Sequence, residues 1–250
     1  MFSISTRDTA SALRRRVAAD IKTNLRLMTV SEDLFEKFCR QRRILAIRVP
    51  TAHAIGEKRP DYRVRSLRRR ARQVHVEVKE IAPTFEEATE IAKVLSGQVG
   101  SFSTEPGAKM RAIIRSAAPQ LKAVAELKDP AIVVVNEPSG MLKQHIDPYG
   151  ILTAMRGLDV VPIFVPKDPR ISPWCGKRQA GGKRKMTRTS NTTISAIALL
   201  FHHGLNATRL DVFHNRFARC PLRRSDLQGR WIRHFAMTAD LTEWRLISSS

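Results

Sequence analysis

Cysteine is scarce and scattered: the three copies in 250 residues, Cys39, Cys175 and Cys220, form no CxxC pair. Their spacing offers neither a zinc knuckle nor a disulfide framework. A reduced compartment is the expectation. Aromatic residues make up only 6% of the chain, which argues against a surface that holds single strands by base stacking. No apolar run approaches the roughly 20 residues needed to cross a bilayer; the longest, Ala131–Val135 and Ile194–Phe201, are strand-sized. The opening residues lack the apolar segment of a secretory signal. Their content of Ser3, Ser5, Arg7, Ser11 and Arg14–Arg16 reads as a basic lead-in helix rather than an organelle presequence. A cytoplasmic protein without membrane attachment is therefore expected. Several chemistries also lack their signatures: there is no GxSxG elbow, and no cysteine has a histidine beside it. The glycine-rich stretch Gly176–Lys185 lacks the Gly-Lys-Ser/Thr ending of a phosphate loop.

Acidic residues are the remaining shortage. Asp and Glu number 23 against 44 Lys and Arg, a formal net charge of +21. A field of that sign and size attracts polyanions. Nucleic acid is the leading partner class, because many cations can displace its condensed counterions together. Hydrophobic residues reach 42%, enough for a sizeable core.

Along the chain the periodicity switches repeatedly between helix and strand. Residues 1–30 read as a basic arm or helix. Ser31 is the expected N-cap of a helix whose apolar face carries Leu34, Phe35, Phe38 and Cys39. Ile44–Val49 reads as a strand. Asp61–Arg65 and Gln73–Glu80 alternate and form a hairpin across a basic turn. The second strand sets Val74, Val76 and Val78 on one face and His75, Glu77 and Lys79 on the other; His75 reads as an exposed strand histidine. An acidic helix follows Pro83. A second helix spans Ala108–Leu127 with a kink at Pro119. Ala131–Val135 is a central strand covered on both sides. Further expectations are a helix at Tyr149–Arg156, a strand at Val160–Val165, and a hairpin of Ile194–Phe201 with Leu210–His214. The main domain is expected to span 31–222, followed by a basic, less regular tail over 223–250. Interleaved strands and helices make a mixed α/β sheet protein the natural class.

Chemistry concentrates at Pro60-Asp61 and, sixteen residues after Asp61, at Glu77-Val78-Lys79. Phosphodiester hydrolysis needs a hard cation to polarise the phosphoryl oxygen and acidify a water. Mg²⁺ takes oxygen ligands and retains waters, so two carboxylates plus a substrate phosphate suffice. Glu77 and Lys79, two apart on one strand, share a sheet face. The lysine then stands beside the charge that develops at phosphorus. The plain alternatives are a turn residue at Asp61 and a solvated ion pair between Glu77 and Lys79.

These residues, in this order of elements, resemble the PD-(D/E)xK, or restriction-endonuclease-like, nuclease superfamily, and more closely an uncharacterised bacterial branch of it. SEDLFEKFCRQRRI resembles the first helix, RPDYRV and VHVEVKEI the two signature strands, and IIRSAAPQLK with PAIVVVNE the next helix and strand. The resemblance covers roughly 30–222. It implies an α-β-β-β-α-β core of mixed sheet flanked by helices, with ISAIALL and LDVFHNRFARCPL as a C-terminal β-hairpin extension. It implies a metal-dependent nuclease with Mg²⁺ (or Mn²⁺) held by Asp61 and Glu77 and with Lys79 as a catalytic partner. Glu32, or Glu36 one turn on, would add a carboxylate. Gln120 or Lys122 would reach the site from the second helix. Nucleic acid, DNA in preference to RNA, would lie on Arg68, Arg69, Arg70 and Arg72 and on Lys183, Arg184 and Lys185. Such enzymes often cut two strands as dimers, so the resemblance admits a homodimer. The Arg-rich turn without glycine, and the acidic helix after Lys79, depart from the pattern. A non-catalytic nucleic-acid-binding protein that keeps the fold accounts for the same charge, and an RNA-associated basic protein is a third reading.

Overall fold

The apolar run beginning at Ala131 forms β4 (Ala131–Asn136), buried at all six positions and central to the computed structural model. The structure describes residues 28–50, 58–67, 71–101, 103–177, 179–203, 207–239 and 243–248. Within them the chain builds an eight-stranded mixed sheet flanked by helices, with two small two-stranded sheets beside it. The residues expected to form the N-terminal arm lie, up to residue 27, outside the described residues, as do Arg68, Arg69 and Arg70.

In chain order the first elements are α1 (Val30–Gln41), β1 (Ile44–Arg48), β2 (Tyr62–Ser66), β3 (Val74–Glu80), α2 (Phe85–Leu95) and α3 (Ala108–Lys122). After β4 come α4 (Pro148–Arg156), the short β5 (Asp159–Val160), β6 (Ile163–Phe164), β7 (Trp174–Cys175) and β8 (Gln179–Ala180), then β9 (Ala196–His203), β10 (Ala207–His214), β11 (Ile232–Met237) and β12 (Trp244–Leu246). The main sheet runs β1-β2-β3-β4-β9-β10-β11-β12. The first three strands are an antiparallel meander, and β3, β4 and β9 are mutually parallel. Strands β9 and β10 form the antiparallel hairpin, and β11 joins β10 in parallel.

Parallel strands of this kind must be covered on both faces, and two apolar layers do so. On one face Phe35, Phe38 and Cys39 of α1 pack over Tyr62, Val64, Val76, Val78 and Val134. On the other, Met110, Ile114 and Leu121 of α3 and Ile151 and Met155 of α4 pack over Val133, Val135, Ile197 and Phe213. Three of the four α-helices among the described residues begin at a residue whose side chain satisfies a free amide. The cap of α1 is Thr29, not Ser31: Thr29 Oγ1 accepts from Glu32 N at 3.2 Å and Glu32 Oε2 accepts from Thr29 N at 2.8 Å. Ser31 instead lies inside the helix and donates to Glu80 Oε2 at 2.8 Å. Thr84 and Glu87 make the same reciprocal box at α2. Asp147 caps α4, with Pro148 at its first position. Helix α3 carries Pro119 in its last turn and ends at Lys122, short of the expected Leu127.

Two further expectations change. Val160–Val165 is not one strand: Pro162, which cannot donate to a ladder, separates β5 from β6, and the two pair in different small sheets. The stretch after Leu222 is more regular than its composition suggests, since β11 and β12 extend the main sheet. Its anchor is Asp226, fully buried, whose Oδ1 accepts from Arg72 N at 3.2 Å and whose Oδ2 accepts from Arg72 Nη2 at 2.7 Å and Arg223 N at 2.8 Å. Removing one member of a buried pair strands the other. Asp226→Ala is expected to cost about 2–4 kcal/mol in denaturant unfolding; a loss under about 1 kcal/mol would rank the contact with ordinary surface pairs.

His75, His145, His214 and His234 are buried or nearly so, and burial pushes all four imidazoles below their usual range. His214 Nε2 lies 2.9 Å from His234 Nδ1, whose ring donates from Nε2 to Leu227 O. Desolvation and then the neighbouring His234 bring His214 from 6.5 to about 4. A folded pKa below the unfolded one means that the unfolded chain binds the proton first. Stability is therefore expected to be full above about pH 6.5 and to fall as the pH drops towards 4. Equilibrium unfolding at pH 7.5 and 5 should show this loss, and it should shrink in His214→Asn.

Candidate active site

Strand alternation decides where the acidic residues point. Tyr62 is paired with Val76, and both belong to the α1 face. The neighbours Asp61 and Glu77 therefore fall opposite each other and project to the α3 face. Glu77 is 2% exposed and Asp61 8%. Asp61 precedes the first ladder residue of β2, where the next inter-strand bond would fall. Its side chain supplies that bond instead: Asp61 Oδ2 accepts from the Val78 amide at 2.8 Å. Lys79 Nζ sits 2.7 Å from Glu77 Oε1, with the lysine 21% exposed. Thus Asp61, Glu77 and Lys79 come together on one covered face, at the end of the β2–β3 pair.

Glu32 does not join them. It belongs to α1, on the opposite face, where Thr29 N and Arg48 Nη2 (3.3 Å) hold its carboxylate. Glu36 also stays on that side and accepts from Tyr62 Oη at 3.0 Å. Desolvation, and then the Glu36 hydrogen bond, push the Tyr62 phenol up. Gln120 lies half-buried on α3, the helix that covers Glu77, and its Oε1 is buried without a hydrogen bond among the described residues. His75 is fully buried rather than exposed, with Nε2 3.5 Å from Asp129; α3 covers the face that alternation left open.

The basic residues divide. Arg72 forks onto Asp226 and donates from Nη2 to Pro221 O at 2.7 Å, a structural role. Lys183 is exposed and paired with Glu105 at 2.9 Å. Lys185 is half-buried, and its backbone amide bonds Ala154 O. Arg184 is exposed and donates from Nε to Gly181 O at 3.2 Å. Sequence reasoning named only one member, Lys122, of a different group. A cleft of about 490 Å³ lies between the lead-in to β2 and the last turn of α3, and its charged lining is Lys58, Arg59, Arg63 and Lys122, all cationic. Pro60, the neighbour of Asp61, is in its wall. The signal for Arg63 was present in the alternation: it is two residues from Asp61 and on the same face. Lys58 and Arg59 follow a stretch of sequence with no periodicity to place them.

Among the described residues no three His, Cys, Asp or Glu side chains form a ready metal cage. The donors available for a cation are the carboxylates of Asp61 and Glu77. Compared with known proteins, the chain matches no family model, no curated protein and no solved structure.

Asp61 thus has a structural task whatever its chemistry. Asp61→Ala leaves the Val78 amide without an acceptor and is expected to cost about 1–3 kcal/mol, whereas Asp61→Asn keeps an acceptor oxygen and should cost less. Paired thermal and denaturant unfolding curves for the two variants decide between them; equal losses would mean that the bond contributes nothing.

Proposed function

We propose that the protein is a metal-dependent phosphodiesterase acting on nucleic acid, DNA in preference to RNA, with the site and sheet order of the PD-(D/E)xK nucleases. The observation that carries the reading is the meeting of Asp61, Glu77 and Lys79 on one sheet face beside a cleft whose charged lining is entirely cationic. The order α1-β1-β2-β3-α3-β4, with an antiparallel meander leading into a parallel β3–β4 pair, agrees with the core that the motif requires. Helix α2 is an insertion in that core.

The donor set suits Mg²⁺ or Mn²⁺: hard carboxylate oxygens, two in number, with the remaining positions left to water and a substrate phosphate. Bound by Asp61 and Glu77, such a cation supplies polarisation of a phosphoryl oxygen and a more acidic water. The other tasks fall to the chain's own groups. The Val78 amide fixes Asp61 by holding one of its oxygens. Lys79 orients Glu77 and brings positive charge to the place where negative charge grows in the transition state. Lys58, Arg59, Arg63 and Lys122 take the phosphate backbone, which fixes position rather than sequence. The acidic surface of α2 (Glu86, Glu87, Glu90) lines a separate cleft that also takes in Glu105, so phosphates in the cationic cleft need not meet it.

The close Glu77–Lys79 contact favours a second reading, since it neutralises Glu77 with no metal. In that case the protein binds nucleic acid without cutting it. Incubation of plasmid and single-stranded DNA with the purified protein, in Mg²⁺ or Mn²⁺ and in chelator, separates the two. The nuclease reading expects cation-dependent cutting that falls by about 10²-fold or more in Lys79→Ala. No cutting, with salt-sensitive retention of DNA, establishes the second. Either way, alanine at Lys58, Arg63 and Lys122 together should weaken binding and flatten the slope of log affinity against log salt by about 0.9 for each duplex phosphate that is no longer neutralised.

A further inference from the structure

A second cavity, of about 330 Å³, opens on the α3–α4 side of the sheet, between the end of α4, the loop before β9 and the turn after β10. Four arginines line it, Arg156, Arg184, Arg188 and Arg216, and no acidic side chain does. Its other wall is apolar: Met155, Met186, Phe217 and Met237. Arg184, Arg188 and Arg216 stand at the rim and make no ion pair among the described residues, while Met155 and Met186 are buried at 2% exposure. The cavity therefore has a cationic mouth and an apolar floor.

The walls are fixed by hydrogen bonds that do not use the cavity. The loop is tied to α4 through Met186 N to Met155 O at 3.0 Å and Lys185 N to Ala154 O at 3.0 Å. Thr187 Oγ1 accepts from Ser190 N at 3.0 Å, and Asn191 Nδ2 donates to Lys185 O at 2.6 Å. Asn215 is 3% exposed and closes the turn on the far side, donating from Nδ2 to Ile194 O at 2.8 Å and accepting from Phe217 N at 3.0 Å. Pockets formed in advance in this way, mostly apolar with a few polar groups, are the usual form of small-ligand sites.

The ligand class follows from the two halves. Several guanidiniums around one mouth exceed what a single carboxylate can use; they match the oxygens of a phosphate, which arginine meets bidentately. A floor of methionines and one phenylalanine suits a flat, polarisable body, since thioethers adapt to and attract aromatic rings. We propose that this cavity is a binding site for a phosphorylated nucleoside, with the phosphate at Arg184, Arg188 and Arg216 and the base over Phe217 and the methionines. Two sources present that chemistry, a free nucleoside monophosphate and the phosphorylated end of a nucleic-acid strand. The site is independent of the carboxylate pair: it stands whether or not Asp61 and Glu77 hold a cation. Strands β3, β4 and β9 separate β2 from β10, which at about 4.8 Å per strand puts the two sites roughly 19 Å apart across the sheet.

The test is calorimetric titration of the full chain with adenosine 5′-monophosphate, with inorganic phosphate, and with a short oligonucleotide carrying either a 5′-phosphate or a 5′-hydroxyl. The expected result is that the mononucleotide, or the 5′-phosphorylated strand over its 5′-hydroxyl twin, binds more tightly than inorganic phosphate. Preference for the mononucleotide identifies a free ligand, and discrimination between the strands identifies a strand end. Arg188→Ala with Arg216→Ala should lower that affinity about tenfold or more without moving the unfolding midpoint, and Phe217→Leu should reduce the gain over inorganic phosphate. Inorganic phosphate binding as tightly as both nucleotide probes overturns the proposal. So does affinity untouched by the two arginine substitutions in a variant that remains folded.

Discussion

The parallel pairing of β4 with β3 on one side and β9 on the other is the constraint from which the rest follows. A strand apolar in this way must be screened from water on both faces, and parallel neighbours cannot be joined by tight turns. The connections are therefore long and carry the helices that do the screening. Helices α2 and α3 occupy the crossover from β3 to β4, and α4 with the small sheets occupies that from β4 to β9. Among the described residues α1, which precedes the sheet, covers the other face over the meander.

That arrangement explains why polar groups are buried at Glu77. In a half-open antiparallel sheet, His75, Glu77 and Lys79 would face solvent and need no partners. Here α3 lies over them, so each polar group must be satisfied within the protein or lose free energy. Lys79 meets Glu77, and the Asp61 carboxylate takes the Val78 amide that β2 no longer reaches. Two carboxylates are thus held on one covered face in a chain of net charge +21, with Lys79 Nζ 2.7 Å from one of them. Well-packed apolar residues at such positions are often neutral or stabilising.

Most strands and helices were legible because their patterns are clean. Val74–Glu80 alternates, Ala131–Val135 is uniformly apolar, and Pro83-Thr84 announces α2. What escaped the sequence was long-range or locally atypical. The Thr29–Glu32 box was readable as a capping pattern, but Ser31 competed as the cap until its bond to Glu80, 49 residues away, gave it another task. Strand β11, IRHFAM, has no run of β-branched residues, and its alternation is broken by His234, whose burial is made tolerable only by Leu227 O and His214. The same limit applies to Arg72. Within the run that begins at Arg68 it looks like a phosphate contact, and nothing local reveals that Asp226, 154 residues on, holds it. Of the site, the shared face of Glu77 and Lys79 was legible from period two, whereas the place of Asp61 opposite Glu77 needed the β2–β3 register. The exclusion of Glu32 was not legible, since a helix in sequence does not declare which sheet face it will cover.

The charge excess, uninformative as a total, becomes specific once the ion pairs are removed. Asp211 takes up Arg209 and Arg233, Asp226 takes up Arg72, Glu105 takes up Arg111 and Lys183, and Glu87 takes up Lys109. Lys58, Arg63 and Lys122, and separately Arg184, Arg188 and Arg216, keep no ion pair among the described residues, and each trio lines a hollow on the α3–α4 side of the sheet. Gathering like charges in a concavity raises their mutual repulsion, because low-dielectric walls focus the field. Dispersed over a convex surface, the same residues would keep the chain soluble at less cost. A polyanion offsets that repulsion and gains counterion entropy as it does so. Two cationic hollows on one face, with the carboxylate pair beside the first, are the arrangement whose repulsion the proposed phosphate ligands would relieve.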